Sequence, residues 1–313
     1  MDDDEVFHPS SLTLTDMAKS FPPDIVVLDT DGLLHARLAR GKRDLRILQS
    51  KTYRLADDTF SASVVTPELV NEASLAEALR RLRVETGRWD KVSLLLPDSW
   101  FRLNLLDIPS FNERQKDALD LVRWTLKRTL PIPPEQLRIV WQVITRSEAS
   151  AKVLVISALE KTLARIERIF ADAGIEVVMI EPLGLNVWNA IAVRELATTK
   201  DRLFVYVREH EFTTAVFRGS QPLFLRSRNL SGERSVLQEI RLSANYLRDT
   251  LRADGFENCY VAGDRDEEAA AALSAEFNVA VRKVSLRDFV EQVPADAAPV
   301  EAELTACAGV FTA

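Results

Sequence analysis

The chain has 313 residues, of which 47% are apolar and 28% charged, and its net charge is -7. That length holds two lobes with separate cores, and the negative balance argues against a general nucleic-acid binder, which would present a basic surface. No apolar run reaches the roughly 18 residues of a membrane-spanning helix. The acidic opening Met1-Asp2-Asp3-Asp4-Glu5 lacks the layout of a secretory signal, and Cys259 and Cys307 are the only cysteines, so the chain reads as cytoplasmic and reduced.

The first 23 residues are polar, with Leu12, Leu14, Met17 and Phe21 as their regular apolar positions. They read as an N-terminal extension, either a loosely packed tail or a short helix from Thr15 or Asp16, set apart by Pro22-Pro23. Ile25 to Asp29 then reads as a buried strand entering the turn Thr30-Asp31-Gly32. Leu33 to Leu38 and Leu45 to Leu55 are the next two strands, joined by a hairpin turn at Gly41-Lys42-Arg43-Asp44. Ser74-Leu75-Ala76-Glu77 has capping-box spacing, and Leu75, Ala78, Leu79 and Leu82 follow at helical spacing up to Gly87. Val92 to Leu96 is another buried strand.

After Leu96 the pattern changes. Trp100 to Asp107 reads as a strand, which places Trp100 and Phe101 on opposite faces and one of them at the surface. Ser110-Phe111-Asn112-Glu113 has capping-box spacing ahead of a helix with Leu119, Val122, Leu126 and Leu130, which Pro131-Ile132-Pro133-Pro134 ends. Leu137 to Thr145 and Lys152 to Ser157 are two more strands. Ser157-Ala158-Leu159-Glu160 is expected to cap a helix ending at Gly174; Ile175 to Ile180 is a strand, and Pro182 begins a closing helix.

The early order then recurs. Leu203–Val207, Phe212–Phe217 and Leu223–Ser227 are strands, but the first turn is now Arg208-Glu209-His210. A helix with Leu237, Ile240, Ala244, Leu247 and Leu251 on one face follows, stopping at Gly255. Cys259 to Ala262 is a strand ending at Gly263, Glu267 to Phe277 a helix and Val279 to Val281 a last strand. Strands alternating with helices imply α/β layering. The duplication implies two lobes: residues 24–198 with an insert at about 98–157, and residues 199–313.

This order of elements resembles the actin-like proteins of the FtsA and PilM type. Leu103-Asn104-Leu105-Leu106-Asp107-Ile108-Pro109, Leu130-Pro131-Ile132-Pro133-Pro134-Glu135, Ile180-Glu181-Pro182-Leu183-Gly184-Leu185 and Leu237-Gln238-Glu239-Ile240-Arg241-Leu242-Ser243 resemble PilM-like proteins of type IV pilus assembly. The cytoplasmic domain of the type II secretion L-type proteins is a related likeness. The resemblance spans residues 24–313 and implies a two-lobed actin-like, duplicated RNase H-like fold with a strand-helix-strand-strand insert in lobe one. It further implies a cytoplasmic protein held peripherally at the inner membrane by the cytoplasmic peptide of a bitopic partner, with a secretion ATPase as a possible second partner.

In ATP-binding members of that fold each lobe presents Asp-x-Gly after a strand, where glycine lets backbone N–H groups approach phosphates. Lobe one here has Asp29-Thr30-Asp31-Gly32, so Asp31 stands where glycine is expected, and a second carboxylate beside phosphates repels them unless a metal bridges the two. A polar hairpin turn, with Asp and Gly supplying its backbone needs, is the plainer reading of these residues. Lobe two has Tyr206-Val207-Arg208 in the place of Asp-x-Gly, with no carboxylate there to hold a metal, and Val261-Ala262-Gly263-Asp264 keeps one glycine of an expected pair. The passage from Asn229 through Ser231-Gly232-Glu233-Arg234 leads almost directly into the next helix, so the outer subdomain of lobe two is expected to be missing or reduced.

The expectation is therefore a non-catalytic pseudo-ATPase scaffold without cofactor or metal, whose residual phosphate-turn residues are Asp29, Asp31, Gly32 and Gly263. The alternative is an active ATPase with a rearranged site. His8, His35 and His210 each read as exposed lone histidines without metal-site spacing, with Arg208 and His210 as a weaker candidate anion pair. The insert carries Trp100, Phe101, Phe111, Trp124 and Trp141, which either fill its core or anchor an interface. The partner groove implied by the resemblance lies between insert and lobe one, which points to Trp100, Phe101, Arg102, Arg123, Trp124 and Lys127 as partner-binding residues.

Overall fold

A computed structural model describes residues 21–312, apart from residues 62–67, 113, 195–199, 220, 231–234 and 252–254. The expectations for residues 1–20, for His8, for Glu113 and for Ser231 to Arg234 lie outside the described residues. The chain opens with β1 (Asp24–Leu28), β2 (Gly32–Arg40) and β3 (Leu45–Arg54), an antiparallel meander. The short pair β4 (Phe60–Ser61) and β5 (Glu68–Leu69) precedes helix α1 (Glu72–Thr86) and β6 (Lys91–Leu96). The insert comprises β7 (Phe101–Pro109), α2 (Ala118–Leu126), β8 (Leu137–Arg146) and β9 (Ser150–Leu159). Helix α3 (Glu160–Asp172), β10 (Glu176–Pro182) and α4 (Leu183–Ala192) complete lobe one.

Lobe two repeats the plan without the insert: β11 (Asp201–Val207), β12 (Glu211–Arg218), β13 (Gln221–Asn229), α5 (Val236–Leu251), β14 (Asn258–Ala262), α6 (Asp266–Phe277), β15 (Val281–Lys283) and α7 (Glu301–Thr312). The sheet orders β10-β6-β1-β2-β3 and β15-β14-β11-β12-β13 correspond strand for strand. In each, the central strand is parallel to one neighbour and antiparallel to the other.

Ile25–Leu28 and Leu203–Val207 of the central strands are apolar because both faces of each sheet are covered there. Val26 and Leu28 enter a core under α1 and α3, while Ile25 and Val27 enter a second core that also receives Phe204 and Tyr206 from β11. That shared core lies around α4 and α7, so the lobes are joined by packed helices as well as by the chain. Trp188 of α4 stacks on Phe217 with ring centroids 4.0 Å apart, a geometry worth about 0.5–1.5 kcal/mol beyond area burial. Where α4 and α7 cross, a side chain on Gly309 would overlap the Asn186 backbone, so glycine sets how closely the helices approach.

Several local expectations are corrected. The cap of α1 is Asn71, whose side chain accepts from Ser74 N at 3.1 Å; Ser74 lies inside the first turn and its Oγ receives Thr59 Oγ at 2.7 Å. Ser110 sits in a turn at φ 52 and does not cap α2, which starts after Asp117. Ser157 belongs to β9. Trp100 lies in a single 3-10 turn, Asp98–Trp100, ahead of β7. Trp100 and Phe101 are 2% and 5% exposed and both join the lobe-one core, so neither faces solvent. Leu237 is exposed, and α5 buries Val236, Ile240, Ala244 and Leu247 instead. Helix α7, absent from the sequence reading, is the counterpart of α4.

Candidate functional site

The carboxyl ends of β1, β6, β10, β11 and β14 meet at the gap between the lobes, the place where open α/β sheets present ligand-binding loops. Five such ends contribute: the turn after β1 with Asp29, the turn after β6 with Asp98, the start of α4, the turn after β11 with Arg208, and Gly263-Asp264 after β14. The first turn of α7 adds Glu303.

Arg208 occupies the centre. Its Nη1 donates to Asp29 Oδ2 across the lobes, its Nη2 donates to Glu303 Oε1 at 2.8 Å, and Nε lies 3.6 Å from Asp264 Oδ2. Asp29 Oδ1 is held by Thr30 N at 2.6 Å, which fixes the carboxylate in its turn. Burial opposes the charge of Arg208, but the fields of Tyr206, Asp29, Glu303 and Glu211 outweigh it and raise its pKa above the ordinary arginine value. The guanidinium is a fixed cation.

Two further carboxylates lie deeper. Asp98 is fully buried, and its Oδ1 accepts from Gly184 N, the second residue of α4, at 2.7 Å. The N-terminus of a helix attracts anions through its free N–H groups and dipole, and here an internal carboxylate takes that place. The fit requires glycine, because a Cβ on Gly184 would overlap Asp98 Oδ2 and press on the Tyr206 ring. Burial pushes Asp98 up to about 6, held back by the Thr213 hydroxyl, Gly184 N–H and Arg208. Glu211 Oε2 accepts from Ser99 N at 3.2 Å; burial, then the Asp98 charge, pushes it up to about 8, against Arg208. Burial likewise raises Glu303, opposed by Arg208.

Of the four residual phosphate-turn residues, Asp29 alone joins this cluster. Asp31 is exposed, and its carbonyl accepts from Leu55 N at 2.8 Å. Gly32 begins β2 and lies against the Tyr53 carbonyl. Gly263 has φ +111, and a Cβ there would overlap the Val207 carbonyl, so it serves a backbone contact between β14 and β11. Outside the Tyr206-Val207-Arg208 turn itself, Glu211, Asp264 and Glu303 stand around Arg208. The proposed anion pair is corrected too, since Arg208 is bound by carboxylates and His210 is exposed, 3.8 Å from Glu209. His35 is buried, its Nε2–H donating to Asp24 Oδ1 at 2.8 Å, and its ring is stacked on Trp89.

Asp98, Glu211 and Glu303 escaped sequence reading. Glu211 and Asp98 flank apolar strands and look like ordinary turn residues. Glu303 could have been found by extending the duplication, since α4 requires a counterpart. Among the described residues no group of three or more His, Cys, Asp or Glu is arranged to hold a metal ion.

The residues expected to bind a partner are dispersed. Trp100 and Phe101 are in the core, contrary to that expectation. Arg102 of β7 is half-buried and donates to Ser99 O at 3.1 Å and Phe101 O at 3.0 Å. Arg123, Trp124 and Lys127 share α2 and its end; Arg123 pairs with Asp120 at 3.6 Å, Lys127 is exposed, and Trp124 is 61% exposed beneath the Arg128 guanidinium. Phe111 and Trp141 meet edge to face at 6.5 Å in the insert's own core. A separate groove of about 840 Å³ runs between α1 and α3 over Ala73, Ala76 and Ile169, on the face of lobe one away from α4.

No protein-family model and no curated protein matches the chain. Among solved structures it is similar to a PilM-PilN type IV pilus biogenesis complex, at 16% identity and TM-score 0.75 over 93% of this chain and 98% of that one. It is similar to a Bacteroides thetaiotaomicron protein with actin-like ATPase fold and unknown function, at 12% identity and TM-score 0.53 over 88% and 94%. The cytoplasmic domain of EpsL, an inner membrane component of the Vibrio cholerae type II secretion system, aligns at 11% identity and TM-score 0.50 over 93% and 94%. The chain thus has the two-lobed actin-like α/β fold, in an arrangement like that of PilM.

Proposed function

We propose that this actin-like chain is a non-catalytic scaffold of a type IV pilus or type II secretion assembly platform, located in the cytoplasm and held at the inner membrane by a segment of a membrane partner. The observation that carries the non-catalytic part is Arg208, whose guanidinium fills the space between the two phosphate turns and binds Asp29, the residue best placed to manage a metal. A nucleotide's phosphates would have to displace a buried cation from Asp29 and Glu303 and an internal carboxylate from the start of α4. The likeness to a structure containing PilM with PilN, and to the EpsL cytoplasmic domain, supports the platform and the membrane partner.

Titration calorimetry with ATP and Mg²⁺ tests the first part. No saturable heat at millimolar nucleotide is expected; micromolar binding that Asp29→Ala abolishes would overturn it. The exposed face of α2 is the proposed contact with the partner peptide. Trp124→Ala is expected to weaken a cognate cytoplasmic peptide by tenfold or more, as loss of an aromatic anchor does, with the fold unchanged by circular dichroism.

A further inference from the structure

The cluster around Arg208 has more carboxylates than one guanidinium can neutralise. Asp29, Asp98, Glu211, Asp264 and Glu303 surround a single fixed cation. Among the described residues, five buried polar atoms here have no hydrogen-bond partner: Asp98 Oδ2, Glu211 Oε1, Glu303 Oε2, Tyr206 Oη and Arg208 Nε. Buried like charges without solvent are costly, and a buried carboxylate either gains a counter-charge or takes up a proton. Asp98 and Glu211 are the innermost two, each raised first by burial, and Asp98's charge adds to the rise at Glu211.

They are also placed across the lobe boundary. Asp98 follows β6 of lobe one, whereas Glu211 opens β12 of lobe two and accepts from Ser99 N beside Asp98. The described elements around the pair bring mostly neutral and acidic groups toward it. The β1–β2 turn brings Asp29, already bound to Arg208; β11 brings the Tyr206 hydroxyl; β12 brings Thr213. At the end of β10, Glu181 is raised by burial and bonded to Asn186 at 2.9 Å. From α7 comes Glu303, while Glu301 is bonded to Ser285 at 2.8 Å. The neighbouring strands carry Arg102 on β7 and Arg226 and Arg228 on β13; Arg226 pairs with Glu239 at 3.1 Å.

We propose that the lobes are latched by a proton: Asp98 and Glu211 retain at least one proton between them while the cleft is closed, and its loss loosens the junction around Arg208. The proton moves to solvent as the pair ionises, and no other bond changes. The sign follows from linkage. Acids whose pKa is higher in the closed state favour closure at low pH, and that advantage is lost as pH rises from the ordinary carboxylate range toward about 8. Each unit of differential pKa corresponds to about tenfold in the closed-to-open ratio. The inference rests on the reading that the cleft is filled by the protein's own side chains.

Pulsed dipolar electron resonance between nitroxides on Val84→Cys of α1 and Asn245→Cys of α5 reads the lobe separation; both positions are exposed, whereas the native Cys259 and Cys307 are buried. One short distance is expected at pH 5.5, with a longer population growing at least about tenfold by pH 9. In the D98N/E211Q double variant, which cannot ionise at either site, the distance should stay short at both pH values. A pH-independent distance in the parent, or retained pH dependence in the double variant, would overturn the latch. Restoration of the short distance at pH 9 by added K⁺ or Mg²⁺ would overturn it in favour of a cation. If the double variant does not fold, urea unfolding of the parent decides alone: its midpoint must fall between pH 5 and 8.5, and a rise or no change rejects the latch. ATP binding in calorimetry would defeat the filled-cleft reading, whereas a constant distance without ATP binding defeats only the latch.

Discussion

The turn after β1 and the turn after β11 hold equivalent places in two sheets of the same strand order, yet they carry opposite charge. Lobe one presents Asp29; lobe two presents Arg208, and the two are bonded to each other. In a duplicated fold that binds phosphate, both turns must face the same ligand. Here each faces the other, and the two turns form a self-complementary ion pair across the lobes. The rest of the cleft agrees: Asp98 takes the anion position at the start of α4, and Glu303 closes the ring from α7.

The strongest way to break this comparison is Arg208→Met. It leaves Asp29 and Glu303 without their counter-charge in a mostly buried site, and removing one partner of a buried pair costs about 3–5 kcal/mol; chemical unfolding should show the loss. If stability holds, the turns are not coupled. Gly263→Ala comes next. It puts a Cβ into the Val207 carbonyl at positive φ, with a cost of about 1–3 kcal/mol, whereas Gly32→Ala meets only the Tyr53 carbonyl at 3.3 Å and should cost less. The two carboxylates of the first turn separate more finely. Asp29→Asn loses a charge-assisted bond worth about 1.5–3 kcal/mol, while Asp31→Asn at an exposed position should stay within about 0.5 kcal/mol; equal effects would mean that Arg208 has no preference between them.

The smallest expected effect lies at the far end of β1. Asp24 is raised by burial but lowered more by His35 and Arg37, for a net pKa below the ordinary value. A depressed carboxylate contributes stability that is present at neutral pH and lost as pH falls below its usual range. Acid unfolding of Asp24→Asn should therefore lose pH dependence below about pH 4, while the alkaline side is left unchanged.

Much of the architecture was legible because periodicity and order survive without knowledge of contacts. The runs Ile25–Leu28 and Leu203–Val207 are apolar at every position, as central strands covered on both faces must be. The capping boxes at Ser74, Ser110 and Ser157 failed for a common reason. A serine three residues before a suitable partner shows only that a cap can form: Asn71 took the cap at α1, Ser110 stands in a turn ahead of the helix, and Ser157 lies within β9. Helix α7 was invisible because Leu304, Ala306, Cys307, Ala308 and Val310 are all buried, leaving no polar stripe to mark a helical period. The site was legible at Asp29 and Asp264, and at Arg208 only as half of an anion pair. A turn arginine reads as solvated, and only the opposing lobe shows that Arg208 is not.

The crossing of α4 and α7 at Gly309 has a mechanical meaning. Backbone rests on backbone there, with no side chain to act as a flexible spacer. Sliding one helix past the other would drive residues with side chains into that contact, so shear is obstructed and rotation about the crossing is the cheap relative motion. The crossing is then the fulcrum, and Asp98, bonded to Gly184 half a turn from Asn186, ties the Arg208 cluster to it. Under the latch proposed above, a change in charge at that cluster would act through rotation about this crossing.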